Sequence, residues 1–110
     1  MKLHDPDAIA SAAIAVRPGR PATGMVHDSA DARVVVFRLA PGEVVAPHTS
    51  PSTVILLAMD GDGTFLGPDG EHPVHTGTLA TFEPNELHGM RATDGPFTVL
   101  ATITPRPGPR

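Results

Sequence analysis

The sequence predicts an all-β domain, an antiparallel sandwich or barrel preceded by one short helix. Two observations carry this expectation. Short segments rich in Val, Ile, Leu, Phe and Thr recur from residue 23 to residue 103 at a spacing of roughly 8–12 residues, with no long helical stretch between them. The breaks between them are turn sequences: Pro41-Gly42, Ser50-Pro51, Asp60-Gly61-Asp62-Gly63, Gly67-Pro68-Asp69-Gly70, Pro84-Asn85 and Asp94-Gly95-Pro96. Each joins a fixed or polar turn position to a residue that tolerates positive φ.

Asp5-Pro6-Asp7-Ala8-Ile9-Ala10-Ser11-Ala12-Ala13 reads as the helix. Asp5 caps free backbone N–H groups, Pro6 suits the first helical position and Asp7 complements the dipole. Arg17-Pro18-Gly19-Arg20-Pro21 ends it and serves as a linker. Strands follow at about 23–28, 33–39, 44–48, 53–59, 63–66, 72–75, 78–82, 87–92 and 97–103. Pro105-Arg106-Pro107-Gly108-Pro109-Arg110 lacks every second N–H and cannot join a sheet. The expected organisation is an arm over 1–21, a barrel over 22–104 and a flexible Pro-rich tail over 105–110.

Two strands do not alternate. Arg33-Val34-Val35-Val36-Phe37-Arg38-Leu39 and Val54-Ile55-Leu56-Leu57-Ala58-Met59 are apolar on both faces. One face then meets the interior, and the other needs a cover from the arm or from a second subunit. A homodimer is the expected assembly.

Composition excludes several function classes. Eight basic and twelve acidic residues give a formal net charge of −4, and Lys2 is the only lysine. Phosphate backbones and anionic lipid need concentrated positive charge, so nucleic acid and membrane surfaces are not expected partners. No apolar run approaches 18 residues, and the N-terminus lacks a basic-then-apolar leader pattern. Without cysteine there is no disulfide or thiolate metal site, and a cytoplasmic protein is expected. With no Trp or Tyr, gripping a ligand by stacking on large aromatic faces is not expected either.

From Gly42 onward the spacing resembles the cupin family. Five residues separate Gly42 from His48, Ser50 follows two later, Val54 four after that, and six residues separate Val54 from Gly61. This is the frame of the first cupin motif, with Ser50 at the second histidine position and Val54 at the glutamate position. The second motif is similar from Gly77 to His88, with Pro84 displaced by one, Asn85 in place of the inner glycine and Ala92 in place of the asparagine. The resemblance implies an antiparallel cupin-type β-barrel (a double-stranded β-helix, or jelly roll) in which His48 and His88 point inward from facing strands. It also implies that two of four metal-ligand positions hold non-ligating residues.

The expected ligand-binding set is His48, Ser50, Leu56, His88 and Met90. For a divalent transition ion (zinc, nickel, iron or manganese) the candidate ligands are His48 and His88, with His27 as a possible third from the first strand. His72 and His75 flank Pro73-Val74 in a surface hairpin, and His4 has no expected role. Asp60-Gly61-Asp62-Gly63 with Glu71 imitates a calcium loop, but Phe65 stands where that loop needs glycine. Glu83 and Glu86 are read as solvated loop carboxylates. Two functions follow: a small-molecule-binding module, favoured here, and a metal-dependent cupin enzyme of oxygenase or isomerase type.

Overall fold

The structure, a computed structural model, describes residues 1–107. In chain order it contains α1 (Pro6–Ala12), β1 (Ala22–Asp28), β2 (Arg33–Leu39), β3 (Val44–His48), β4 (Thr53–Asp60), β5 (Gly63–Gly67), β6 (Gly70–Val74), β7 (Leu79–Phe82), β8 (His88–Ala92) and β9 (Phe97–Thr104). Every expected strand is present, and the turn residues set the breaks. Asn85 shows why a glycine position tolerated asparagine: its φ is 70°, in the left-handed region that Asn enters more readily than most residues.

The strands form two antiparallel sheets, ordered β1-β2-β9-β4-β7 and β3-β8-β5-β6. From β2 onward the chain crosses repeatedly between the sheets, which is the strand path of a jelly roll. The core lies between them. Leu39, Val54, Leu56, Ala58, Phe82, Phe97, Val99 and Ala101 enter it from the first sheet, and Phe65, Met90 and Ala92 from the second. Burying each of the larger aliphatic or aromatic side chains stabilises by about 1.5–3 kcal/mol.

Alternation sends the other side chains of β2 and β4 to the outer face. On β2 the arm supplies cover, for α1 packs across β1 and β2 and Val36 is wholly buried. A seven-residue helix is marginal alone, so its ends need support. Asp5 caps the start by accepting from Ala8 N–H at 3.1 Å. The last turn of α1 has no basic residue of its own. Arg38 of β2 takes that role, donating to the carbonyls of Ala10, Ser11 and Ala13 at 2.8, 3.0 and 2.8 Å.

The expected flexible tail is tied down at its start. Ser52 donates to the Pro105 carbonyl at 2.6 Å, and the Arg106 guanidinium pairs with Asp28, which also meets Arg33. Residues 108–110 lie outside the described residues.

Arg38→Met keeps the length of the side chain and removes its three hydrogen bonds. The expected loss is about 1.5–3 kcal/mol, the range for a hydrogen bond to a charged group. Thermal unfolding should fall by several degrees, and limited proteolysis should cut the arm first while the barrel stays intact. Unchanged melting with an uncut arm would show that α1 is held by apolar contacts alone.

Candidate functional site

Two histidines meet at one end of the interior, His88 buried and His48 exposed. His48 ends β3 and His88 begins β8, and the two residues are direct register partners in the same sheet. Their ring centroids are 4.3 Å apart with the planes inclined by 59°. The expectation of facing strands is therefore corrected: the pair is formed by hydrogen-bonded neighbours. His88 is 6% exposed, with Phe82 against it at 5.5 Å between ring centres, while His48 lies exposed at the mouth.

A β-bulge makes this pairing possible. Val45 pairs with Met90 and His48 with His88, so three steps along β3 match two along β8. Simple alternation would put Val45 and His48 on opposite faces. The extra residue at Ala46-Pro47 restores them to one face. Pro47 has no N–H to contribute to the ladder and stands on an edge strand, where proline is tolerated. Across from the bulge sits Gly89, where a Cβ would lie 2.7 Å from the Val45 carbonyl oxygen and 3.0 Å from the Pro47 nitrogen.

The two rings are held alike. Nδ1 of His48 is 3.0 Å from the Ala46 carbonyl, and Nδ1 of His88 is 3.0 Å from the Glu86 carbonyl. A carbonyl only accepts, so each Nδ1 carries the proton and each neutral ring keeps its Nε2 lone pair free. Burial pushes the His88 pKa below its ordinary value, and a charge on nearby His48 pushes the same way.

Behind the pair is a cavity of about 40 Å³ lined by Phe37, Val45, Val54, Leu56, Met90, Ala101 and Ile103 together with both histidines. That volume holds a few waters or a small functional group, far short of the roughly 300 Å³ of a typical ligand pocket. A larger concavity of about 510 Å³ lies outside it, and Phe37 and Val45 are common to both.

Of the sequence-derived ligand set, His48, Leu56, His88 and Met90 meet around this cavity, and Ser50 does not. The Ser50 hydroxyl accepts from Ser52 N–H at 3.1 Å and its carbonyl accepts from Asn85 N–H at 2.7 Å. It is a loop-fixing residue that ties the segment after His48 to the segment before His88. His27 is also displaced from its expected role. A register shift between Met25 and His27 sets His27 opposite Val34, on the outer side of the sheet and away from the cavity. Glu86 is spent on the loop too, accepting from Glu83 N–H at 2.7 Å. His72 pairs with Asp69 at 3.0 Å on an exposed edge.

The metal that cupin motifs imply does not fit this donor set. Catalytic transition-metal sites usually draw on three protein ligands. Among the described residues no group of three or more His, Cys, Asp or Glu is placed to hold an ion. At the carboxylate position Val54 is 3% exposed and belongs to the core.

A jelly-roll barrel with a histidine pair at the mouth of its interior, His88 buried and His48 exposed, defines a small cupin domain. Solved structures agree. The chain is similar to an RmlC-like cupin protein from Desulfovibrio desulfuricans at 28% identity and TM-score 0.78, covering 96% of this chain and 97% of that one. It is similar to the TT1209 protein of Thermus thermophilus at 22% identity and TM-score 0.86, covering 97% and 100%. The polyketide cyclase RemF from Streptomyces resistomycificus shares the fold at 18% identity and TM-score 0.80, covering 99% and 82%. No curated protein matches. Residues 32–108 match the AraC-like ligand binding domain, and the chain belongs to that family.

The lowered His88 pKa fixes a sign for pH dependence. The unfolded chain, with an ordinary histidine pKa near 6.5, takes up the proton more readily than the fold. The contribution of neutral His88 is therefore complete above about pH 6.5 and is lost as pH falls below it. Melting temperature should drop between pH 7.5 and 5.5, with a slope of at most about 1.4 kcal/mol per pH unit for one proton. The slope should flatten in His88→Asn. An equal slope in the variant would assign the effect elsewhere.

Proposed function

We propose that this protein is a small-molecule-binding cupin module whose pocket is centred on His48 and His88. The observation that carries the reading is the pair of free Nε2 acceptors at the mouth of an apolar cavity, with no third metal ligand among the described residues. Two neutral acceptors side by side suit an amine or a pair of neighbouring hydroxyls, which can give one hydrogen bond to each. The cavity takes that group alone, and the body of the ligand rests at the mouth beside His48. Membership of a ligand-binding family supports the same reading. The similarity to a polyketide cyclase, RemF, supports the alternative only as far as an enzyme on this fold; metal dependence is the cupin motifs' implication. A cytoplasmic location is part of the proposal, and the absence of cysteine is compatible with it; among the described residues no helix is long and apolar enough to cross a membrane.

Metal content decides between the two. Protein purified without a metal-affinity column should carry substoichiometric transition metal, and EDTA should leave its melting temperature unchanged. Hydroxyl-bearing probes such as glycerol and small diols should raise it, an effect lost in His48→Ala. Val54→Glu should create a two-histidine, one-carboxylate set and raise zinc affinity by orders of magnitude. Stoichiometric metal or a large drop on chelation in the wild type would overturn the binding-module reading.

We also propose a homodimer through the outer face of the first sheet. Val36, Leu100, Leu57 and Leu79 form one cross-strand row over β2, β9, β4 and β7. α1 covers its β2 end, and at the other end Leu79 is 59% exposed. Ile55 and Met59 flank Leu57 on the same side of β4. A specific interface buries at least about 1,000 Å² in total. Light scattering should give about twice 11.4 kDa, and Leu57→Glu with Leu79→Glu should give the single-chain mass. An 11.4 kDa species for the wild type at micromolar concentration would disprove the dimer.

A further inference from the structure

An open concavity lies beside the histidine cavity, in the seam where the edge strands β1 and β3 of the two sheets approach each other. Its walls are Thr23 of β1, Phe37 of β2 and Val44, Val45 and Ala46 of β3. Its rim is the arm, which contributes Val16, Arg17, Arg20 and Pro21. At about 510 Å³ it falls in the range of small-molecule sites.

The two arginines are brought together by a tight turn. Arg20 N–H donates to the Arg17 carbonyl at 3.2 Å, closing a four-residue loop through Pro18 and Gly19. Pro18 suits the second position of a type II turn and Gly19, with φ +79°, the third. The first and fourth residues of such a turn have Cα atoms within about 7 Å. Two guanidinium groups thus start from one rigid turn and border one groove.

Neither arginine has a carboxylate partner among the described residues, although the chain carries an acidic excess. Arg33, Arg91 and Arg106 are each paired with an acid, and Arg38 is engaged by helix carbonyls. No carboxylate lines the groove. Opposite the charged rim the floor is apolar. Val16 on the arm is 91% exposed and Val44 is 43% exposed, an apolar surface open to contact.

We propose that this groove binds a small amphipathic carboxylate, its acid group held by Arg17 and Arg20 and its apolar body laid against Val16, Phe37, Val44 and Val45. Guanidinium groups present forked N–H donors that match a carboxylate in two-point fashion. The apolar body covers side chains that the fold leaves open to water. The site is distinct from the histidine pair and shares with it only the Phe37 and Val45 wall.

The test is calorimetric titration with naphthylacetate and with its uncharged counterpart naphthylacetamide. The acid should bind about tenfold tighter or better, and added salt should weaken the acid alone. Arg17→Gln with Arg20→Gln should bring the acid to the level of the amide. Gly19→Val keeps both charges and meets no atom within 4 Å, but a β-branched residue does not adopt φ +79°. It should therefore also reduce the preference for the acid. His48→Ala should leave both affinities unchanged, so failure here and failure of the histidine reading are separable. Equal binding of acid and amide would overturn the proposal, as would an acid preference that survives the double substitution. Displacement of the acid by an equal concentration of inorganic phosphate would mark a general anion patch, and that also overturns it.

Discussion

Side chains on a β-strand alternate between two faces, and the bulges that reset this alternation decide what the barrel encloses. In β4 the alternation is unbroken through the core segment: Val54, Leu56 and Ala58 point inward and Ile55, Leu57 and Met59 outward. In β3 it is reset at Ala46-Pro47, which brings His48 to the face already occupied by Val45 and alongside His88. In β1 the reset between Met25 and His27 puts a third histidine on the outer side of the sheet. Gly89 is the counterpart of the β3 bulge, because any Cβ there would meet the bulged backbone.

The environment around the pair favours the neutral form of His88 and orients both imidazoles. Each Nδ1–H is tied to a carbonyl two residues upstream, so the ring positions follow from the backbone rather than from a partner side chain. Desolvation favours the neutral form of His88, and protonating one ring works against protonating the other. The carboxylate that would offset a cation is missing, since Val54 fills that position with hydrocarbon. Such a site accepts hydrogen bonds well and holds positive charge poorly.

The N-terminal arm joins the two halves of the surface. Its helix seals the outer face of β1 and β2, fastened by Arg38 to three carbonyls at the helix end. The segment that follows turns through Pro18 and Gly19 and becomes the rim of the seam between β1 and β3. One side of Phe37 then faces the core cavity and another faces this groove. A half-buried aromatic ring is thus the partition between the small cavity behind the histidine pair and an open, positively charged cleft.

The sequence by itself determined the fold class, because its signals are local. Turn residues such as Pro41-Gly42 and Asp94-Gly95-Pro96 stop strands where they stand, and Asp5-Pro6 starts a helix without help from distant residues. The resemblance of the Gly42-to-His48 and Gly77-to-His88 spacings to the cupin motifs also implied the pair, since the frame of each motif is set by strands and turns along the chain. Tertiary structure alone decided the rest. Whether His27 faces inward depends on a bulge that no residue type announces, and the Ser50 carbonyl is tied across the fold to Asn85 N–H. Arg17 and Arg20 read as part of a linker until the arm folds back on the sheet edges. Each of these outcomes turns on parity or on contact between segments brought together by folding, and neither is written in any one stretch of residues.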